Sequence, residues 1–291
     1  SENIEIFYGD ITEMEDCKKF TNQSNGSILI HCAGIIHPPN IQYFYDINVN
    51  GTKNILTASA KNNINKFVAV SSNSPCGTNP TNDHLFDESY DYNPYLNYGK
   101  SKMMMEKIVK KYNDEGKIKT VIIRPPWFYG PYQPDRQNRF YKMIKIGKVP
   151  IIGSGDNKRS MACTINISQA IIRATLEEKA NGQTYWIADK KPYTFNQIIS
   201  TIRKVMRQEF GINCIDNEIR LPYFISELAY YSDVLIQSIG MYNKQIHVLS
   251  EMNKTIACSI NKAVSEIGYN PQVELYEGTY MSLKSALNKF K

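Results

Sequence analysis

The sequence predicts an α/β protein, a doubly wound parallel sheet accompanied by a smaller helix-rich part. Two observations predict it. Through the first two-thirds of the chain, short β-branched runs alternate with longer amphipathic stretches, which is the rhythm of βαβ units. After Gly130 that rhythm gives way to segments of mainly helical pattern. A length of 291 residues fits about two domains.

Taken in order, Ile4 to Tyr8 predicts a first strand. Thr12, with Glu15 three residues later, predicts a capping box for a helix running towards Gln23. Ser27 to His31 is the next strand, and Ile41 to Lys61 holds a long helix. Phe67 to Ser71 is a third strand, and a helix from Tyr98 to Tyr112 follows a polar loop. Lys119 to Arg124 is a fourth strand, stopped by Pro125 and Pro126, which cannot continue a ladder. Arg136 to Ile146 is helical, and a turn with Gly153 and Gly155 precedes the segment MACTIN. From Phe195 the pattern is mostly of short helices ending near Lys291, the last two separated by Gly268-Tyr269-Asn270-Pro271.

Composition excludes several classes. With 42% hydrophobic and 21% charged residues, the chain has enough apolar side chains to offset the entropy of ordering it. Lys and Arg number 34 against 28 Asp and Glu, a net +6, and no run of five or six like charges forms a nucleic-acid arm. The excess suits solubility and an anionic substrate. The most apolar stretch, Tyr223 to Gly240, carries Glu227 and Asp233 and reads as a buried or amphipathic helix, not a membrane span. The sequence SENIEIFYGD lacks the basic region and cleavage pattern of a secretory signal. Six cysteines show neither CxxC nor zinc spacing, so reduced thiols in a cytoplasmic protein are expected. His31, His37, His84 and His247 form no metal-ligand spacing, and His31, inside an apolar strand, reads as a core histidine.

The strongest chemical signal is Tyr98-Gly99-Lys100-Ser101-Lys102, a Y-x-x-x-K on a predicted helix. Four residues make about one turn, so the phenol and the ammonium share a face. A nearby cation favours the phenolate and readies it for proton exchange. Ser72 follows the apolar run FVAV, at the C-terminal edge of a strand, where open α/β sheets place their ligands. Its hydroxyl is placed to bond a substrate oxygen beside the tyrosine. Met103, Met104 and Met105 follow on the same helix and read as packing. The aromatic residues from Trp127 to Tyr132 suit either packing or stacking on a base or sugar.

Around these residues the chain resembles the extended short-chain dehydrogenase/reductase family. That family comprises NAD(P)-dependent nucleotide-sugar epimerases, dehydratases and reductases, together with 3β-hydroxysteroid dehydrogenases. The resemblance rests on Gly9-Asp10, His31-Cys32-Ala33-Gly34, Asn48-Val49-Asn50-Gly51-Thr52, the SSNSPCG segment with Ser72, the Tyr98/Lys102 pair and Arg124-Pro125 with Tyr129-Gly130-Pro131. It continues through Gly153 to Arg159 and the C-terminal KAVSEIGYNP, in the family's order.

The resemblance implies a Rossmann-like fold. Residues 1–132 and about 160–192 would form the NAD(P)-binding domain, and about 133–159 and 193–291 the substrate domain. Tyr98 would be the catalytic acid/base, Lys102 would hold the nicotinamide ribose, and Ser72 would orient the reacting oxygen. Asp10, Ala33, Gly34 and Pro125 would line the cofactor groove. Asn73 and Arg159 would meet the substrate, Arg159 at its diphosphate, where a guanidinium offers paired donors.

The departures are informative. Gly9 is the only glycine in the first 25 residues, so no glycine-rich pyrophosphate loop is present. The resemblance therefore implies a βαβ unit upstream of Ser1, and the choice between NAD and NADP is not legible. Sugar dehydratases of the family carry an Asp-Glu pair after the catalytic hydroxyl, where this chain has Asn73 and Ser74. Neither does that acid/base work at neutral pH. Asn166 stands where the sugar enzymes often have an Asp, closer to the hydroxysteroid branch. The function expected is thus an epimerase or ketoreductase of a nucleotide-activated sugar, working with NAD or NADP. It is expected to act as a homodimer without nucleic-acid or membrane partners. The alternatives are a hydroxysteroid or lipid alcohol dehydrogenase, and a non-catalytic relative that binds the cofactor.

Overall fold

The computed structural model describes residues 4–287. Helix α1 (Met14–Thr21) leads to β1 (Ile28–His31). A wide, π-type helical stretch, Phe44–Gly51, runs into α2 (Thr52–Lys61), so the long helix expected there has two windings. Next come β2 (Lys66–Val70), α3 (Leu96–Asp114) and β3 (Lys119–Arg124). They are followed by β4 (Trp127–Tyr129), α4 (Asp135–Lys145), β5 (Pro150–Ile152), β6 (Lys158–Arg159) and β7 (Met161–Cys163). Helix α5 (Thr164–Leu176) precedes β8 (Thr184–Trp186), β9 (Tyr193–Thr194) and α6 (Phe195–Phe210). Strand β10 (Ile219–Leu221) and helices α7 (Phe224–Ser238), α8 (Lys244–Glu251), α9 (Asn261–Ile267) and α10 (Leu275–Ser285) complete the order.

The main sheet has the order β1-β2-β3-β8, all parallel. Phe67 of β2 stands opposite Leu29 of β1 and Thr120 of β3. Because side chains alternate along a strand, Phe67, Ala69 and Ile122 face a core beneath α1, α2 and α3, with Leu56, Met105 and Val109. Val68, Val121 and Ile123 face the other core, under α5 and α9, with Ala170, Trp186 and Ile267. A third core gathers Tyr141 and Ile144 of α4, Ile198 and Ile202 of α6 and Leu283 of α10.

Two expectations at the start of the chain need correction. Ile4 to Tyr8 forms no strand; it pairs with no strand among the described residues, and Ile4, Ile6 and Tyr8 are exposed. An extended segment gains its ladder bonds only from a neighbour, and among the described residues edge strand β1 pairs with β2 alone. The capping box at Thr12 does not form either. The Thr12 hydroxyl donates to Asp10 Oδ1 at 2.9 Å, and α1 starts behind Glu13 without a side-chain cap. Thr12 stands one residue before the cap position, which Glu13 occupies, so its hydroxyl serves the Asp10 turn instead. The short β4–β7 and β5–β10 pairs were not foreseen. The expected end of the last helix, at Lys291, lies outside the described residues.

One buried ion pair fixes α3 against the end of β3. Arg124 donates through Nε and Nη2 to the two oxygens of Glu106, at 3.0 and 2.6 Å. The Ser71 hydroxyl and Tyr92 donate to the same carboxylate. Every oxygen of this buried carboxylate is thereby satisfied, which is what makes burying the charge tolerable.

Candidate active site

The C-terminal ends of β1, β2 and β3 open into a cavity of about 840 Å³. This is where a parallel sheet collects its ligands, because the loops diverge there. Its wall includes Ala33, Gly34, Ser72, Asn73, Tyr98, Lys102, Pro125 and Arg159. Eight of the residues singled out from the sequence are thus brought together. Asp10 is not. It lies exposed outside this wall, its carboxylate accepting from the backbone and hydroxyl of Thr12, which hold it below the usual carboxylate range.

Each residue is placed by its element. After β1 the chain passes through Cys32, Ala33 and Gly34, and Asn48 clamps the passage. Its Oδ1 accepts from Ile35 N at 2.8 Å and its Nδ2 donates to Ile35 O at 3.1 Å. A Cβ on Gly34 would stand 3.1 Å from that Oδ1, so the small residue lets the clamp close. Ser72, just past β2, shares the cavity wall with Tyr98, and its hydroxyl lies 3.2 Å from Ser74 Oγ.

Burial pushes the Tyr98 phenol up from its ordinary value; the Ser72 hydrogen bond and the charge of Arg136 pull the other way. The expected cationic help thus comes from Arg136, whereas Lys102 turns to the sheet. Its Nζ donates to Val70 O at 3.0 Å and lies 3.1 Å from Met105 Sδ. Burial brings this ammonium down to about 8, against the opposing charge of Glu106. Arg159 is 9% exposed, donates from Nη2 to the Glu251 carbonyl, and keeps a buried Nε with no hydrogen-bond partner among the described residues.

The sequence reasoning missed the cations across the cavity, Arg136 and Arg139 on α4 and Lys244 on α8. The spacing of Arg136 and Arg139 on one helical face was a readable signal. It also missed a buried dyad in which His247 Nδ1 meets Asp233 Oδ2 at 2.7 Å, with His247 on the cavity wall. Asp233 raises the pKa of His247 against the burial that would lower it. Fourteen residues of separation carry no spacing signal. Asn166, in turn, serves the core. Its Oδ1 accepts from Gln272 N and Val273 N, and its Nδ2 donates to Val273 O at 2.7 Å. His31 is buried, bonded to Thr52 Oγ1 at 2.9 Å, and lowered to about 4 by burial.

Comparison with known proteins agrees with this geometry. The chain is 46% identical over 283 residues to the uncharacterized protein y4nL of Sinorhizobium fredii, covering 97% of this chain and 80% of that one. It is 28% identical to the N-acetyl-α-D-glucosaminyl-diphospho-ditrans,octacis-undecaprenol 4-epimerase of Escherichia coli O157:H7, over 68% of this chain and 58% of that one. Among solved structures, the UDP-glucuronic acid 4-epimerase of Bacillus cereus, in complex with UDP-glucuronic acid and NAD, matches with a TM-score of 0.75 at 20% identity. That match covers 97% of this chain and 81% of that chain. The family model of the 3-beta hydroxysteroid dehydrogenase/isomerase family matches residues 1–220. The chain therefore belongs to the 3-beta hydroxysteroid dehydrogenase/isomerase family, an enzyme family of the extended short-chain dehydrogenase/reductase type.

Proposed function

We propose that the protein oxidises and reduces a carbinol carbon of a nucleotide-activated sugar, as an epimerase or a ketoreductase dependent on NAD or NADP. One observation carries this reading. Tyr98, Ser72 and Lys102 face the same cavity as Arg159, a buried guanidinium with an unused donor. An anionic diphosphate would take that donor, and Arg136, Arg139 and Lys244 add positive charge to the same cavity.

The residues present fit the nicotinamide and ribose end of a dinucleotide. Ala33 and Gly34 expose near-bare backbone at the strand ends. Among the described residues the buried Lys102 ammonium bonds a carbonyl and a thioether, and so retains donor capacity for ribose hydroxyls. When bound, the nicotinamide supplies the hydride chemistry. The chain's own residues do the rest. Lys102 would orient the ribose, Ser72 would hold the reacting oxygen, and Tyr98 Oη would take the proton from the carbinol and return it in reduction. Asn73 and Ser74 offer no carboxyl group, so water elimination is not part of the reading.

A second reading, oxidation of a hydroxysteroid or other lipid alcohol, is favoured by the family and by Ile35, Ile36, Phe128 and Met143 on the cavity wall. The test is to incubate full-length protein with a panel of sugar nucleotides, with and without NAD(P)H, and identify products by NMR. Conversion without added reductant means an epimerase, and stoichiometric NAD(P)H loss means a reductase. Turnover of a 3β-hydroxysteroid alone would move the assignment to the second reading.

A further inference from the structure

His247 of α8 stands between a buried carboxylate and the cavity. Its Nδ1 meets Asp233 Oδ2 of α7 at 2.7 Å, and the Asp233 side chain is fully buried. The other oxygen of that carboxylate accepts from Gln237 Nε2 at 2.9 Å, which fixes the carboxylate in turn. The histidine is 5% exposed and belongs to the cavity wall. Its Nε2 bonds no described residue and is not sealed inside the protein, which leaves it as the edge turned to the cavity. A carboxylate on Nδ1 fixes the orientation of the ring and the place of its first proton. Nε2 then accepts a hydrogen bond when the ring is neutral and donates one when it is protonated.

The surroundings decide between the two. Asp233 and Glu251 raise the pKa of His247 against the burial that would lower it. The rings of Tyr95 and Tyr242 lie 5.8 and 5.5 Å away, centre to centre, and burial pushes both phenols up, so they stay neutral. His37, bonded through Nδ1 to Tyr242 Oη at 2.7 Å, is lowered to about 3 by burial and by the charges of Arg136, Lys244 and His247. Of the two histidines on this wall, His247 is the one built to carry a proton.

The wall calls for an anion. Among the described residues Glu251 is its one acid, against Lys102, Arg136, Arg139, Arg159 and Lys244. His247 and Glu251 are one turn apart on α8, and Arg159 Nη2 donates to the Glu251 carbonyl. The imidazole and the guanidinium therefore approach the same turn of one helix. We infer that His247 is a specificity-determining residue, which donates from Nε2 to an anionic oxygen of the substrate while Asp233 holds its ring. A hydrogen bond between an imidazolium and an anion is of the strong, charge-assisted kind. The inference rests on the proposed function in taking that oxygen to belong to a diphosphate.

The test uses inorganic pyrophosphate, the anion common to sugar nucleotides, on full-length protein carrying isotope-labelled histidine. NMR of the ring nitrogens reads the protonation of His247, and His247→Gln identifies its signal among the four histidines. Saturating pyrophosphate is expected to raise the pKa of His247 by about one pH unit, with Nε2 protonated in the complex. By linkage, His247→Gln should bind pyrophosphate about tenfold more weakly at neutral pH, read by calorimetry. An unchanged unfolding midpoint checks that the variant is folded, and the wild-type titration needs no variant. A wild type that binds no pyrophosphate, or binds it without moving the His247 signal, overturns the proposal. So does a complex with Nε2 unprotonated, or a folded His247→Gln that binds equally tightly. A His247 that answers to pyrophosphate in a protein that turns over no sugar nucleotide upholds the anion site and overturns the proposed reaction alone.

Discussion

A Cβ placed on Gly99 would stand 2.5 Å from the backbone oxygen of Ser74. The first turn of α3 therefore lies directly on the loop that follows β2, and that closeness puts Tyr98 within hydrogen-bonding reach of Ser72. Gly99→Ala must push the helix or the loop away, because the obstructing atom is backbone. The expected loss of stability is about 1–3 kcal/mol. Turnover should fall more than stability predicts, because the two hydroxyls part. Urea denaturation and steady-state kinetics on the same preparation check this, and an unchanged rate would separate the helix–loop contact from catalysis.

Glu106 and Arg124 are both buried, at 0% and 2% exposure, and paired through two hydrogen bonds. Glu106→Gln leaves the shape but strands the guanidinium charge between β3 and α3. The expected cost is about 3–5 kcal/mol by equilibrium unfolding. A loss below about 1 kcal/mol would be the behaviour of an exposed pair and would contradict this account of how α3 is fixed.

The Asp233–His247 dyad makes stability depend on pH. Asp233 raises the folded-state pKa of His247 above its ordinary 6.5. A raised histidine contributes stability that is full below the unfolded value and is lost as pH rises through the folded one. The stability advantage of the wild type over Asp233→Asn should accordingly be largest at acidic pH and shrink above pH ~6.5. Denaturation curves of both proteins across this range measure it. A difference that does not vary with pH would mean that the pair is not an ion pair in the fold.

Gln237 joins the surface helix to the catalytic one by accepting from Asn97, the residue before Tyr98. Gln237→Leu leaves the Asn97 amide unpaired, at an expected cost of about 1–3 kcal/mol. Cofactor affinity should hold while turnover falls, because the change acts on the position of Tyr98. An equal loss in both, read by fluorescence titration and kinetics, would mean general loosening instead.

Much of this architecture was legible because it is local. The run KTVIIR forms β3 at the expected bounds, since β-branched residues followed by two prolines leave little other choice. Tyr98 and Lys102 share a helix because their spacing is that of one turn. What escaped was relational. Ile4 to Tyr8 has strand composition but no strand to pair with among the described residues. The apolar run of α7 reads as a buried or amphipathic helix, but which face turns inward is set by the polar partners Asn97 and His247, distant in sequence. Lys102 was expected to lower the Tyr98 pKa, but its ammonium turns to the Val70 carbonyl and the tyrosine answers to burial and Arg136.

The role of Tyr98 is the centre of the account, and Tyr98→Phe tests it most directly. The substitution removes one oxygen and keeps the ring that packs on Phe44, so fold and cofactor affinity should persist. Turnover of the substrate identified by NMR should then fall by about 10²–10⁴-fold, as loss of an acid/base predicts. A folded Tyr98→Phe protein that turns over at the wild-type rate would contradict the assignment.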